Sequence, residues 1–180
     1  MLSSKQAVLV VVDVQGKLAQ LMHEKEALFG NLVRLVKGAQ VLGVPVIWME
    51  QNPTKLGPTV PEVAVAMPAG LSPIPKMSFG CCGEPAFMGK LSALGRRQVL
   101  LCGIEAHICV YQTAVGLEER GYEVHVVADA VSSRKQSSRD LAISKLGQGW
   151  AQLTTVEMAL FEMLGTAEGP AFKEIVRIVK

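Results

Sequence analysis

Two kinds of segment alternate along the chain. Unbroken apolar runs such as Ala7 to Val12 and Val44 to Met49 read as strands buried on both faces. Between them the apolar residues take helical spacing. Over 25–42, Leu28, Leu32, Leu35, Val36 and Ala39 share one face, and Gly43 stands where a helix stops. The same reading predicts a short strand at 71–74, a helix over 84–94 with Pro85 in its first turn, and a strand at 97–102. A helix over 107–120 follows, closed by Gly121. Then come a strand at 123–127, a helix over 136–147, a strand at 151–155 and helices over 156–164 and 170–179. A Pro-rich connection occupies 50–70 and is a candidate for substrate selection or for contact with another subunit. Strands alternating with helices predict the α/β class: a three-layer α/β/α sandwich with a mainly parallel sheet.

Length and charge narrow this picture. A chain of 180 residues is expected to form one domain, 1–180. With 49% apolar residues and only 5% aromatic ones, its core is built from Val, Leu, Ile, Ala and Met. The net charge of +2, from 18 basic and 16 acidic residues, is too small for a nucleic-acid footprint. The basic cluster of Arg134, Lys135 and Arg139 reads as a solvated helix start. No apolar run reaches the roughly 18 residues of a membrane span. The N-terminus lacks a secretory pattern, so a reducing cytoplasmic setting is expected. The cysteines at 81, 82, 102 and 109 form no CxxC pattern. His23, His107 and His125 have no ligand spacing, so neither metal nor cofactor is expected.

Three residues carry candidate chemistry. Cys109 lies where the apolar run 99–102, broken by Gly103, gives way to helical spacing. A first-turn cysteine gains thiolate character from the helix N-terminus, and the free N–H groups there can hold an oxyanion. The same residue also reads as an inert core cysteine. Asp13 ends the first strand, where ligands of open α/β sheets bind, and reads either as a helix cap or as a proton acceptor. Lys76 follows Pro73 and Pro75 and reads as a solvated lysine or as a cation stabilising a thiolate.

The motifs VVVDVQ at 10–15, PKMSF at 75–79, GIEAHICVYQTA at 103–114 and GYEVHVVADAVSSR at 121–134 resemble the isochorismatase-like cysteine hydrolases. That superfamily includes nicotinamidases and carbamoyl-sarcosine amidases. WMEQNPTKLGPTVPE at 48–62 resembles its isochorismatase domain-containing protein 2 subgroup. The resemblance implies six strands in the order 3-2-1-4-5-6 and a triad of Asp13, Lys76 and Cys109. It also implies a cis peptide between Ile104 and Glu105, and an oxyanion hole from the N–H groups of Glu105 and Cys109. Gln15, Trp48, Phe79 and His107 are the pocket candidates. The stretch Glu50-Gln51-Asn52-Pro53 lacks the metal-binding histidines of nicotinamidases, and Glu105-Ala106-His107 stands where many members have Thr-Asp.

The function so implied is metal-independent hydrolysis of a small amide-like substrate by a cysteine whose sulfur Lys76 helps to ionise. Retention of the cysteine argues against isochorismate cleavage. The alternatives are a non-catalytic scaffold of this fold and, with less support, a nucleic-acid-processing protein. The family commonly assembles as dimers, tetramers or octamers, so a homo-oligomer is expected. The apolar residues Phe172, Ile175, Val176, Ile178 and Val179 suit either a subunit contact or the chain's own core.

Overall fold

A computed structural model describes residues 1–180. Its six strands are β1 (Ala7–Val12), β2 (Val46–Gln51), β3 (Ile74–Lys76), β4 (Gln98–Ile104), β5 (Glu123–Ser132) and β6 (Gln152–Thr154). They form one parallel sheet in the order β3-β2-β1-β4-β5-β6. β1 is central and fully buried because it has neighbours on both edges and helices on both faces. The helices are α1 (Gly16–Ala19), α2 (Lys25–Val41), α3 (Pro53–Leu56), α4 (Pro61–Ala64), α5 (Pro85–Ala93), α6 (Tyr111–Glu118), α7 (Gln136–Leu146), α8 (Val156–Leu164) and α9 (Gly169–Val179). Ala7, Leu9 and Val11 pack beneath α2, α8 and α9. Val8, Val10 and Val12 meet the opposite layer. That layer is α5, α6 and α7. No helix is long and apolar enough to cross a membrane.

The layers agree with the pattern reading and the strand order with what the resemblance implies; the differences are local. β3 begins three residues later than the apolar pattern suggests. It is only three residues long and contains Pro75, so no alternation marks it. Its late end makes Lys76 a strand residue, paired in register with Gln51. β5 runs to Ser132 instead of 127, through a bulge that polar Asp129 disguises in the sequence. The 50–70 connection contains two short helices, Pro53–Leu56 and Pro61–Ala64, each opened by proline. Of the two roles open to the last helix, packing on the chain's own core is realised. Ile175 is buried and Ile178 and Val179 lie against the α2 and α8 side.

After β1 the chain winds outward through β2 and β3, then returns to lay β4 on the other edge of β1. That reversal opens a crevice beyond the carboxyl ends of β1 and β4. The two strands stay in register to their ends, where Val12 pairs with Gly103. Gly103 has φ +114, and a Cβ there would stand 2.1 Å from the Val12 carbonyl oxygen. Only glycine permits this approach. Gly103→Ala should therefore lose about 2 kcal/mol or more of stability, measured by urea denaturation. A change below about 0.5 kcal/mol, the scale of a neutral surface substitution, would contradict this close approach.

Candidate active site

Asp13 follows β1 directly and has the left-handed φ of +54 that aspartate tolerates. Its amide donates to Met49 O across the sheet at 3.2 Å, so the turn is fixed by β2. Lys76 ends β3 two strands away, and its side chain returns along the sheet to Asp13. Nζ lies 2.7 Å from Asp13 Oδ2, with the two residues 1% and 2% exposed. The ammonium also donates to Gln51 Oε1 at 2.6 Å, Phe79 O at 2.8 Å and Ser78 O at 3.2 Å. A buried cation thus has a full set of acceptors.

Past β4 the Ile104–Glu105 peptide is cis. Residues Ala106–Val110 form one π-helical turn, in which the amides of Ile108 and Val110 both bond to Glu105 O. This wider turn replaces the ordinary helix start expected from the apolar spacing. It carries Cys109, buried, with its thiol within the electrostatic reach of the Asp13 carboxylate and the Lys76 ammonium. Asp13, Lys76 and Cys109 therefore meet in one crevice, although 33 residues separate even the nearest two in the chain.

The charge state differs from the ionised sulfur expected above. Burial, and next the charge of Asp13, push the Cys109 thiol up to about 12; Lys76 opposes this without reversing it. Burial likewise raises Asp13 from its ordinary 3.8, against the pull of Lys76. The resting site is an ion pair beside a neutral thiol. The helix-terminus effect is worth at most about 2 kcal/mol, and burial together with the charge of Asp13 outweighs it.

The pocket candidates separate. Gln15 is fully buried and works as a clamp: Oε1 accepts from Gln51 N at 2.6 Å, and Nε2 donates to Gln51 O at 3.1 Å and Gly57 O at 2.7 Å. Trp48 turns to the opposite face from Ile47 and Met49, because strand side chains alternate. Its Nε1 donates to Thr59 Oγ1 at 2.8 Å, and Thr59 is held by buried Glu50. Phe79 contributes its carbonyl to Lys76, while its side chain is 56% exposed. His107 is half-buried, bonded to Ser133 Oγ at 2.9 Å, and lines a cavity of about 250 Å³ with Tyr111, Ser138 and Lys145. Cys109 does not line that cavity.

Three participants escaped the sequence reading. Gln51 orients Lys76. Glu105 offers a buried carboxylate as well as its backbone. Arg134, expected among solvated residues, donates to that carboxylate from its main-chain N at 3.2 Å and from Nε at 3.0 Å. The neighbouring Arg139 is likewise engaged, donating from Nε to Val131 O at 3.0 Å. No three His, Cys, Asp or Glu side chains converge at metal-ligating distance. All four cysteines are free.

Breaking the ion pair gives a test with a sign. Lys76→Met leaves Asp13 buried without its cation and should cost about 3–5 kcal/mol at neutral pH. A carboxylate whose folded pKa is raised binds its proton more tightly when folded, so stability falls as pH rises from 3.8 through the raised value. Losing Lys76 raises Asp13 further. The deficit of the variant should therefore shrink on acidification, in urea denaturation at two pH values. A deficit independent of pH would contradict this pairing.

The family model for the Isochorismatase domain matches residues 7–158. Isochorismatase domain-containing protein 2 of Danio rerio is 42% identical over 179 residues, covering 99% of this chain and 89% of the relative. A solved structure from Caenorhabditis elegans, described as the MAR1 ribonuclease, superposes with a TM-score of 0.93 at 35% identity. The match covers 99% of this chain and 91% of that one. The YcaC gene product of Escherichia coli, described as an octameric hydrolase of unknown specificity, shares the fold. Its TM-score is 0.90 at 24% identity, over 98% of this chain and 89% of the other. A domain match over most of the chain, joined to 42% identity along nearly all of it, places this protein in the isochorismatase family.

Proposed function

We propose that this protein hydrolyses a small amide-like substrate through an acyl-enzyme on Cys109. The observation that carries the reading is the single carboxylate of Asp13, held between the Lys76 ammonium and the Cys109 thiol. Asp13 accepts the thiol proton as sulfur attacks the carbonyl carbon. Deprotonation and attack proceed together, because a thiol at about 12 holds little free thiolate at neutral pH. Negative charge moves from Asp13 through sulfur to the carbonyl oxygen, where the N–H groups of Glu105 and Cys109 receive it. The C–N bond breaks and the leaving nitrogen takes the proton from Asp13. Water, deprotonated by Asp13, then attacks the thioester, releases the acid and restores the thiol. Lys76, beside Asp13 throughout, limits the cost of each charge on that carboxylate. A single domain spanning 1–180 and a homo-oligomer belong to the same reading. The octameric relative supports the second of these.

A second reading, cleavage of RNA, is favoured by the description of the Caenorhabditis elegans relative. The net charge of +2 weighs against it.

A screen of small amides and acyl ureas separates these. The amidase reading expects turnover, with a mass increase on Cys109 under rapid quench. Cys109→Ala should abolish turnover and Asp13→Asn should lower it by about 10²–10⁴-fold. Turnover unchanged in Cys109→Ala would refute it. Cleavage of RNA with a steep salt dependence, and no amide turnover, would favour the second reading. Binding without turnover of either class would point to a scaffold.

A further inference from the structure

We infer that Thr113 is a positioning residue whose hydroxyl ties the backbone of the nucleophile to the loop that cradles Lys76. The inference rests on the hydrolase reading above.

The side chain of Thr113 is wholly buried. Its Oγ1 donates to the Cys109 carbonyl at 2.6 Å, one turn back along the helix. The same oxygen accepts from the Cys81 N–H at 2.9 Å. A hydroxyl has one proton to give, and here it goes to the residue that bears the sulfur. Cys81 opens the short turn Cys81–Gly83, just beyond Ser78 and Phe79. The carbonyls of those two residues hold the Lys76 ammonium, and Ser78 Oγ stiffens the span by donating to Gly80 O at 2.9 Å.

The loop also lies tightly on α6. A Cβ added at Gly80 would stand 3.3 Å from Gln112, and one at Gly116 would stand 3.2 Å from Cys82 Sγ. Loop and helix thus meet at two small residues, with Thr113 between them. Lys76 and Cys109 also communicate through Asp13, but that link changes charge during the reaction. The Thr113 bridge is neutral and unaffected by proton transfer, so it can hold the spacing while Asp13 gains and loses its proton. The expected consequence of losing it is a loosened lysine cradle. Lys76 holds the acidity of Asp13 up against burial, so a looser cradle moves the titration of Asp13 to higher pH.

The test is alkylation by iodoacetamide, followed by mass spectrometry at Cys109 and Cys82 across a pH series, with thermal unfolding recorded alongside. Thr113→Val keeps the shape and removes both bonds; Thr113→Ser keeps the hydroxyl. The valine variant should react at Cys109 about tenfold more slowly or worse, with its acid limb displaced to higher pH. The serine variant should stay within about threefold of wild type and keep the wild-type limb, a rescue that loss of packing alone would not produce. Wild-type rate and limb in the valine variant would overturn the inference, and so would equal losses in both variants. Should the valine variant not fold, Thr113→Ala is judged by the same criteria. A wild-type protein in which Cys109 reacts no faster than Cys82 overturns the hydrolase reading and this inference together. That failure is visible before Thr113 is changed.

Discussion

A buried ion pair between Asp13 and Lys76 is the constraint around which the crevice is built. Either charge alone in this position would be expensive, and the two together are tolerated because they neutralise each other at 2.7 Å. Lys76 reaches Asp13 from the end of β3 with Gln51 and two carbonyls around its ammonium. Gln51 is set in turn by the Gln15 clamp. Three strand ends and the loop after β3 are therefore locked to one charge arrangement. Displacing any of them leaves a buried charge or amide without its partner.

The thiol then takes its state from that pair. A neutral sulfhydryl beside a carboxylate already balanced by a lysine adds no net charge to the crevice. Catalysis on this account is movement of one negative charge along a short path of prearranged acceptors. The second pair at the site obeys the same rule: buried Glu105 is neutralised by Arg134, whose side chain is 55% exposed. Gly103 supports the arrangement from below by letting β4 close on β1 immediately before the segment that carries Glu105 and Cys109.

Much of this was legible in the sequence because it is local. β1 announces itself by a run of apolar residues, α2 by its periodicity, and Asp13 and Cys109 by standing at strand ends. Lys76 is legible as a candidate but not as a strand residue, since a three-residue strand containing Pro75 has no pattern to read. Gln51, Thr113 and the side-chain role of Glu105 were invisible. Each acts through partners more than 20 positions away, which no spacing rule reveals. The partner of Trp48, Thr59, is likewise not legible, because position along the chain says nothing about which face of a strand a side chain takes. For the sulfur, a helix-terminus argument counts only a diffuse partial charge, while burial and then the full charge on Asp13 act against ionisation.

Ultraviolet titration of the Cys109 thiolate, taken as the difference between wild type and Cys109→Ser, tests the central claim most directly. With sulfur neutral beside the Asp13–Lys76 pair, no thiolate step should appear at neutral pH, and ionisation should be delayed to strongly alkaline solution, towards about 12. Replacing Asp13 by Asn should bring the step down, because the charge that opposes ionisation is gone while Lys76 remains. A thiolate already present at neutral pH in the wild-type protein, unchanged by Asp13→Asn, would contradict the account.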